Sequence, residues 1–153
     1  MGQGLDMNNK KIVFHCCTVY QLIVAIQVKC VFYTSNWSEL IISKSTPNSN
    51  IIANKLVGFF DSVVVADNET LDCNEPKMMS WHYIKKKLPQ LLENSKIKGA
   101  DTVDEYLFAG LGGFSNAIGQ WLIHEHGCKS VAMFEEGASS YSKIYEHAVC
   151  MRR

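Results

Sequence analysis

The sequence has no net charge: 15 Lys and Arg balance 15 Asp and Glu. The electrostatic footprint of a general nucleic-acid binder is therefore missing, and no nucleic-acid partner is expected. No apolar run approaches the length of a membrane-spanning helix, and the first 11 residues lack the apolar core of a signal peptide. The expected location is the cytoplasm. Internal repeats and low-complexity tracts are also missing. None of the six cysteines forms a CxxC pair. Cys16, Cys17, Cys30, Cys73, Cys128 and Cys150 lie mostly in apolar runs and read as reduced core residues, so structural zinc is not expected.

What is present suits one α/β domain. At 153 residues, 47% of them hydrophobic, the chain can bury a sheet covered on both faces. Residues 1–11 read as a flexible extension and 12–153 as a single domain. Ile12 to Cys16 is a short apolar strand, and Tyr20 to Tyr33 is too long an apolar stretch for anything but a helix. Glu39 to Ser43 is the second strand. Pro47 to Asn50 opens a helix whose face carries Ile51, Ile52, Leu56, Phe59 and Phe60, with Gly58 weakening its last turn. Ser62 to Ala66 is the third strand, followed by a loop to about Pro76.

Met78 to Leu92 is helical in pattern, with Trp81, Ile84, Leu88 and Leu91 on one face, and Pro89 is expected to kink or split it. Lys85, Lys86 and Lys87 read as its solvated side. Glu105 to Ala109 is the fourth strand, and Phe114 to His126 is the helix that Gly127 stops. Val131 to Phe134 is the fifth strand, and Ser140 to Ala148 offers another helix. Strict alternation implies a parallel sheet with right-handed crossovers, a Rossmann-like arrangement ordered 3-2-1-4-5 by analogy. Tryptophans 81 and 121 fit helix faces that pack on the sheet, and Trp37 is the least constrained by pattern.

In that arrangement the turns after the first, fourth and fifth strands share a rim. It would gather Thr18 and Gln21, the glycines from Gly110 to Gly113, and Glu135 with Glu136. The fifth strand ends in these two carboxylates and Gly137, which permits a sharp turn presenting one of them to a substrate. Amides at the start of the next-to-last helix could bind a hydroxyl or an anion, and Gly112 and Gly113 would let a ligand approach the backbone.

Glu135-Glu136-Gly137, followed by Ser139, Ser140 and Tyr141, resembles the acidic-acidic-glycine motif of bacterial sialyltransferases and polysialyltransferases, glycosyltransferase family 52 especially. Phe14 to Leu22 is similar to that family's opening strand and Thr-Pro-x-Gln-Leu turn, with Val19 in place of the proline. The resemblance implies the N-terminal domain of a two-domain GT-B-type enzyme that transfers sialic acid from CMP-sialic acid to a galactose-type acceptor. It implies Glu136 or Glu135 as general base, Glu136 being slightly favoured, and substrate contacts at Thr18, Gln21, Gly112 and Gly113. No cofactor or metal is required. The family's His-Pro nucleotide motif has no counterpart, since the prolines here follow Thr46, Glu75 and Leu88. The chain therefore reads as the acceptor-side half, truncated at its C-terminal end, inactive alone and prone to self-association. The family makes capsule and lipooligosaccharide sugars, which implies a place at the inner face of the membrane.

Two rival readings stand beside it. Gly110-x-Gly112-x-x-Ser115 after a strand, with Glu135 ending the next one, imitates a dinucleotide fingerprint for NAD or FAD. Ser115 in place of the third glycine, and Phe114 in the space beside the pyrophosphate, count against it, and close packing of helix on strand is the expected role of these glycines. The other rival is a non-enzymatic glycan- or partner-binding remnant. His124-Glu125-His126 is not expected to bind metal, because residues two apart on a helix face different ways. His15 is a candidate pocket wall or hydrogen-bonded core histidine. Cys16 and Cys17 have no base evident in the sequence, so thiol catalysis is not expected.

Overall fold

The computed structural model describes residues 9–69, 80–110 and 112–134. Five strands alternate with four helices: β1 (Lys11–Cys16), α1 (Val19–Phe32), β2 (Trp37–Ser43), α2 (Ser49–Leu56), β3 (Ser62–Ala66), α3 (Trp81–Leu91), β4 (Glu105–Phe108), α4 (Gly113–His126) and β5 (Ser130–Met133). The strands form one sheet in the order β3-β2-β1-β4-β5. Every neighbouring pair is parallel. The Rossmann-like α/β arrangement expected from the alternation is the one present.

Side-chain alternation along each strand divides the core in two. Val13, Ile41, Val64, Tyr106 and Phe108 face Ile84 and Leu88 of α3 and Phe114, Ala117, Ile118, Trp121 and Leu122 of α4. Ile12, Phe14, Leu40, Ile42 and Leu107 face Leu22 and Ala25 of α1 and Ala53 of α2. Trp37 packs half-buried against the first of these layers, with Lys11 Nζ 5.5 Å from its ring centre.

The helix ends follow local chemistry. Ser80 caps α3 by accepting from the Tyr83 N–H, and Gly127 at φ 59° closes α4 in the left-handed region. Two sequence expectations are corrected. Of the kink or split expected at Pro89, the split does not occur: α3 runs unbroken from Trp81 to Leu91. The proline sits on the exposed side near the helix end, where burial of Ile84 and Leu88 opposes the lost hydrogen bond. α2 ends at Leu56. Phe59 and Phe60 therefore lie beyond it, with Gly58 turning the chain at φ 94° so that Phe60 enters the core.

Candidate functional site

β1, β4 and β5 lie side by side and parallel, so their C-terminal ends open on one rim. At the end of β1 the chain turns into α1 through Cys17 and Thr18. Thr18 is the exposed helix cap, and its hydroxyl oxygen accepts the Gln21 N–H at 3.2 Å. Gln21 reaches back, its side-chain oxygen accepting the Cys17 N–H at 2.6 Å, and is buried. Thr18 and Gln21 thus brace the turn in a variant of the capping box: the cap hydroxyl serves the first-turn amide of Gln21, and the Gln21 side chain serves the amide of Cys17, one residue before the cap. That signature is written in the sequence as Thr-x-x-Gln.

At the end of β4 the chain enters α4 through Gly112, the helix cap, which has no side-chain oxygen for the first-turn N–H groups. Among the described residues, a Cβ added at Gly112 would meet nothing within 4 Å, so close packing is not its role there. Gly119 inside α4 does pack closely, since its added Cβ would lie 3.3 Å from Tyr106 Cε1. Gly113 begins the helix half-buried. Phe114 corrects another expectation: it is buried in the core, its ring 5.2 Å from that of His15, and does not project toward a ligand. The steric objection to a dinucleotide is thereby removed.

β5 brings the chain to the same rim, because the Phe134 N–H donates to the Phe108 carbonyl at 2.9 Å. Glu135 and Glu136, the expected general base and its neighbour, come next in sequence and lie outside the described residues, as does the helix expected from Ser140 to Ala148.

Beneath the rim lies a polar cluster. His15 is buried at the end of β1, with Nδ1 2.8 Å from the Ser115 hydroxyl on α4 and Nε2 2.9 Å from the Ser43 hydroxyl ending β2. Burial lowers its pKa to about 3, so the ring is neutral at neutral pH. The Tyr106 hydroxyl donates to the Ser115 carbonyl at 3.0 Å, fixing the first turn of α4 on β4. Cys17 Sγ lies 3.6 Å from His15 Nε2 and 3.3 Å from Ser43 Oγ. An imidazole nitrogen that the sequence did not place there therefore stands beside this thiol, but burial leaves it too weak a base to take the thiol proton. Ser43 and Ser115 were missed as partners, although period-two alternation placed Ser43 on the same face as Ile41.

The two histidines at the end of α4 turn to different neighbours. The His124 ring lies tilted against Trp81 at 4.7 Å between ring centres, whereas His126 is held 2.7 Å from the Asp101 carbonyl. Lys85 pairs with Glu125 at 3.6 Å on the exposed side of α3. Among the described residues, no group of three or more His, Cys, Asp and Glu side chains could hold a metal ion. No helix among them is long and apolar enough to cross a membrane. Compared with family models, with curated proteins and with solved structures, the chain matches none.

Proposed function

We propose that this chain is the acceptor-side domain of a sialyltransferase-like glycosyltransferase, one that works with a second, nucleotide-holding domain. The observation that supports this reading is the adjacency of β1, β4 and β5. It sets the Thr18 turn, the open backbone at Gly112 and the residue preceding Glu135 along one rim. A galactose-type acceptor is neutral and rich in hydroxyls. It suits a rim whose described part offers the Thr18 hydroxyl and the amides of an uncapped helix start.

In the reaction, one carboxylate of Glu135-Glu136 takes the proton from the attacking acceptor hydroxyl. The new glycosidic bond forms as CMP leaves the sialic acid donor. Positioning acceptor and base together supplies the rate gain, and no step requires a metal. The location that goes with this chemistry is the cytoplasmic face of the membrane, where surface glycans are built.

A second reading is favoured by one observation. With Phe114 turned into the core and, among the described residues, nothing within 4 Å of a Cβ at Gly112, the start of α4 leaves room for a dinucleotide phosphate beside that glycine.

Amide chemical-shift titration of the isotope-labelled chain tests both. A galactose-terminated oligosaccharide is expected to shift the Thr18, Gly112 and Gly113 amides, with little response to CMP or NAD. A response confined to NAD at Gly112 and Gly113 selects the dinucleotide reading. Silence of this rim to all three ligands overturns both and leaves the non-enzymatic remnant.

A further inference from the structure

The cluster beneath the rim has one end that is not fully buried. His15, Ser43 and Ser115 are at most 4% exposed, whereas Cys17 is half-buried, so the connected groups reach the surface through a sulfur. The neutral ring of His15 carries a single hydrogen, and this decides how the connections can run. With the hydrogen on Nδ1, the ring donates to Ser115. Nε2 then accepts from Ser43, and Ser43 in turn accepts from the Cys17 S–H. With the hydrogen on Nε2, Ser115 donates to Nδ1 and the ring donates to Ser43. The Ser43 hydroxyl hydrogen is then released to point at Cys17 Sγ. The first arrangement suits a thiol and the second suits a thiolate.

With the ring held in the second arrangement, the Ser43 hydroxyl points its hydrogen at the sulfur before and after the thiol proton leaves to solvent at the rim, so ionisation needs no transfer of a proton between the ring nitrogens. No charge has to be placed on His15, whose burial forbids it. Hydrogen bonds to the charged form favour that form, and Cys17 also adjoins the positive end of α1 immediately before its cap at Thr18. Two described groups near the sulfur do not compete. Tyr106 on β4 is held neutral, its pKa raised well above 10 by burial first and by negative charge at Cys17 second. Cys16 packs in the opposite layer of the core. β2 faces the sulfur with the Ser43 hydroxyl, while the Ser115 hydroxyl of α4 meets the other ring nitrogen of His15.

We propose that Cys17 is a reactive thiol site of the rim, its thiolate held by Ser43 and the neutral His15 ring, and that it takes small soft electrophiles. With an alkyl iodide, the thiolate sulfur forms a bond to carbon while the carbon–iodine bond breaks and iodide leaves with the electron pair. The site is independent of Glu135 and Glu136, so it stands or falls separately from the transferase reading.

The test is alkylation of the whole chain by iodoacetamide across a pH series, with each cysteine followed by peptide mass spectrometry. Cys30, exposed on α1, is the reference within the same sample. The pH midpoint of Cys17 labelling is expected about one unit or more below that of Cys30. Replacing Ser43→Ala should move the Cys17 midpoint up to that of Cys30 and leave Cys30 unchanged. A wild-type Cys17 midpoint equal to or above that of Cys30 overturns the proposal without recourse to any variant. A low midpoint that survives Ser43→Ala overturns the role given to Ser43.

Discussion

Ser95 donates its hydroxyl hydrogen to the carboxylate of Glu39 across 2.6 Å, tying the segment after α3 to the middle of the sheet. Glu39 is wholly buried in β2, and its second oxygen accepts the Lys96 N–H at 2.9 Å. Ser95 Oγ also accepts the Ile97 N–H, so one carboxylate organises the entry to β4.

Glu39→Gln keeps the shape but gives the side chain only one good acceptor, setting an NH₂ group against a remaining donor. A loss of about 1–3 kcal/mol in unfolding free energy is expected, the cost of an unsatisfied buried group. Urea denaturation measures it. Amide exchange should quicken first at Lys96 and Ile97; an unchanged midpoint would show that the tie contributes nothing.

His15 makes stability depend on pH in a stated direction. Its folded pKa, about 3, lies below the ordinary value of 6.5 because burial disfavours the charged ring. Between those values the unfolded chain binds a proton that the folded chain does not. The stabilisation is therefore complete above about pH 6.5 and lost as pH falls toward 3. The loss approaches roughly 1.4 kcal/mol per pH unit within that window. His15→Gln should flatten the pH dependence of the thermal midpoint between pH 7 and 4 relative to wild type. Parallel curves for the two proteins would refute the assignment.

The transferase reading makes its sharpest demand at Glu136. The chain alone is expected to form no appreciable sialylated product from CMP-sialic acid and galactosides, because donor and acceptor must be held together. In a preparation that contains the nucleotide domain and turns over, Glu136→Gln should lower the rate by about 10²-fold or more. CMP binding should be nearly unaffected. Near-normal turnover in both Glu135→Gln and Glu136→Gln would remove the general base from this pair, and mass spectrometry of the product decides it.

The order and type of the elements were legible in the sequence because they depend on short-range patterns. Apolar runs such as Ile12 to Cys16 and the stop at Gly127 each operate within a few residues. Strict alternation with right-handed crossovers leaves few sheet orders, and the observed one is among them. What the tertiary structure alone decided is which side chains meet. His15 finds Ser43 and Ser115, 28 and 100 residues away, only because β2 and β4 flank β1 in a particular register. Phe114 turns inward because α4 lies close on β4, where Gly119 leaves room for Tyr106. Pro89 stays within α3 because packing of neighbouring residues outweighs a local penalty. A hydrogen bond or ring contact across the sheet depends on strand order and register, which no local window of sequence contains, whereas helix caps and strand alternation are written within a few residues of where they act.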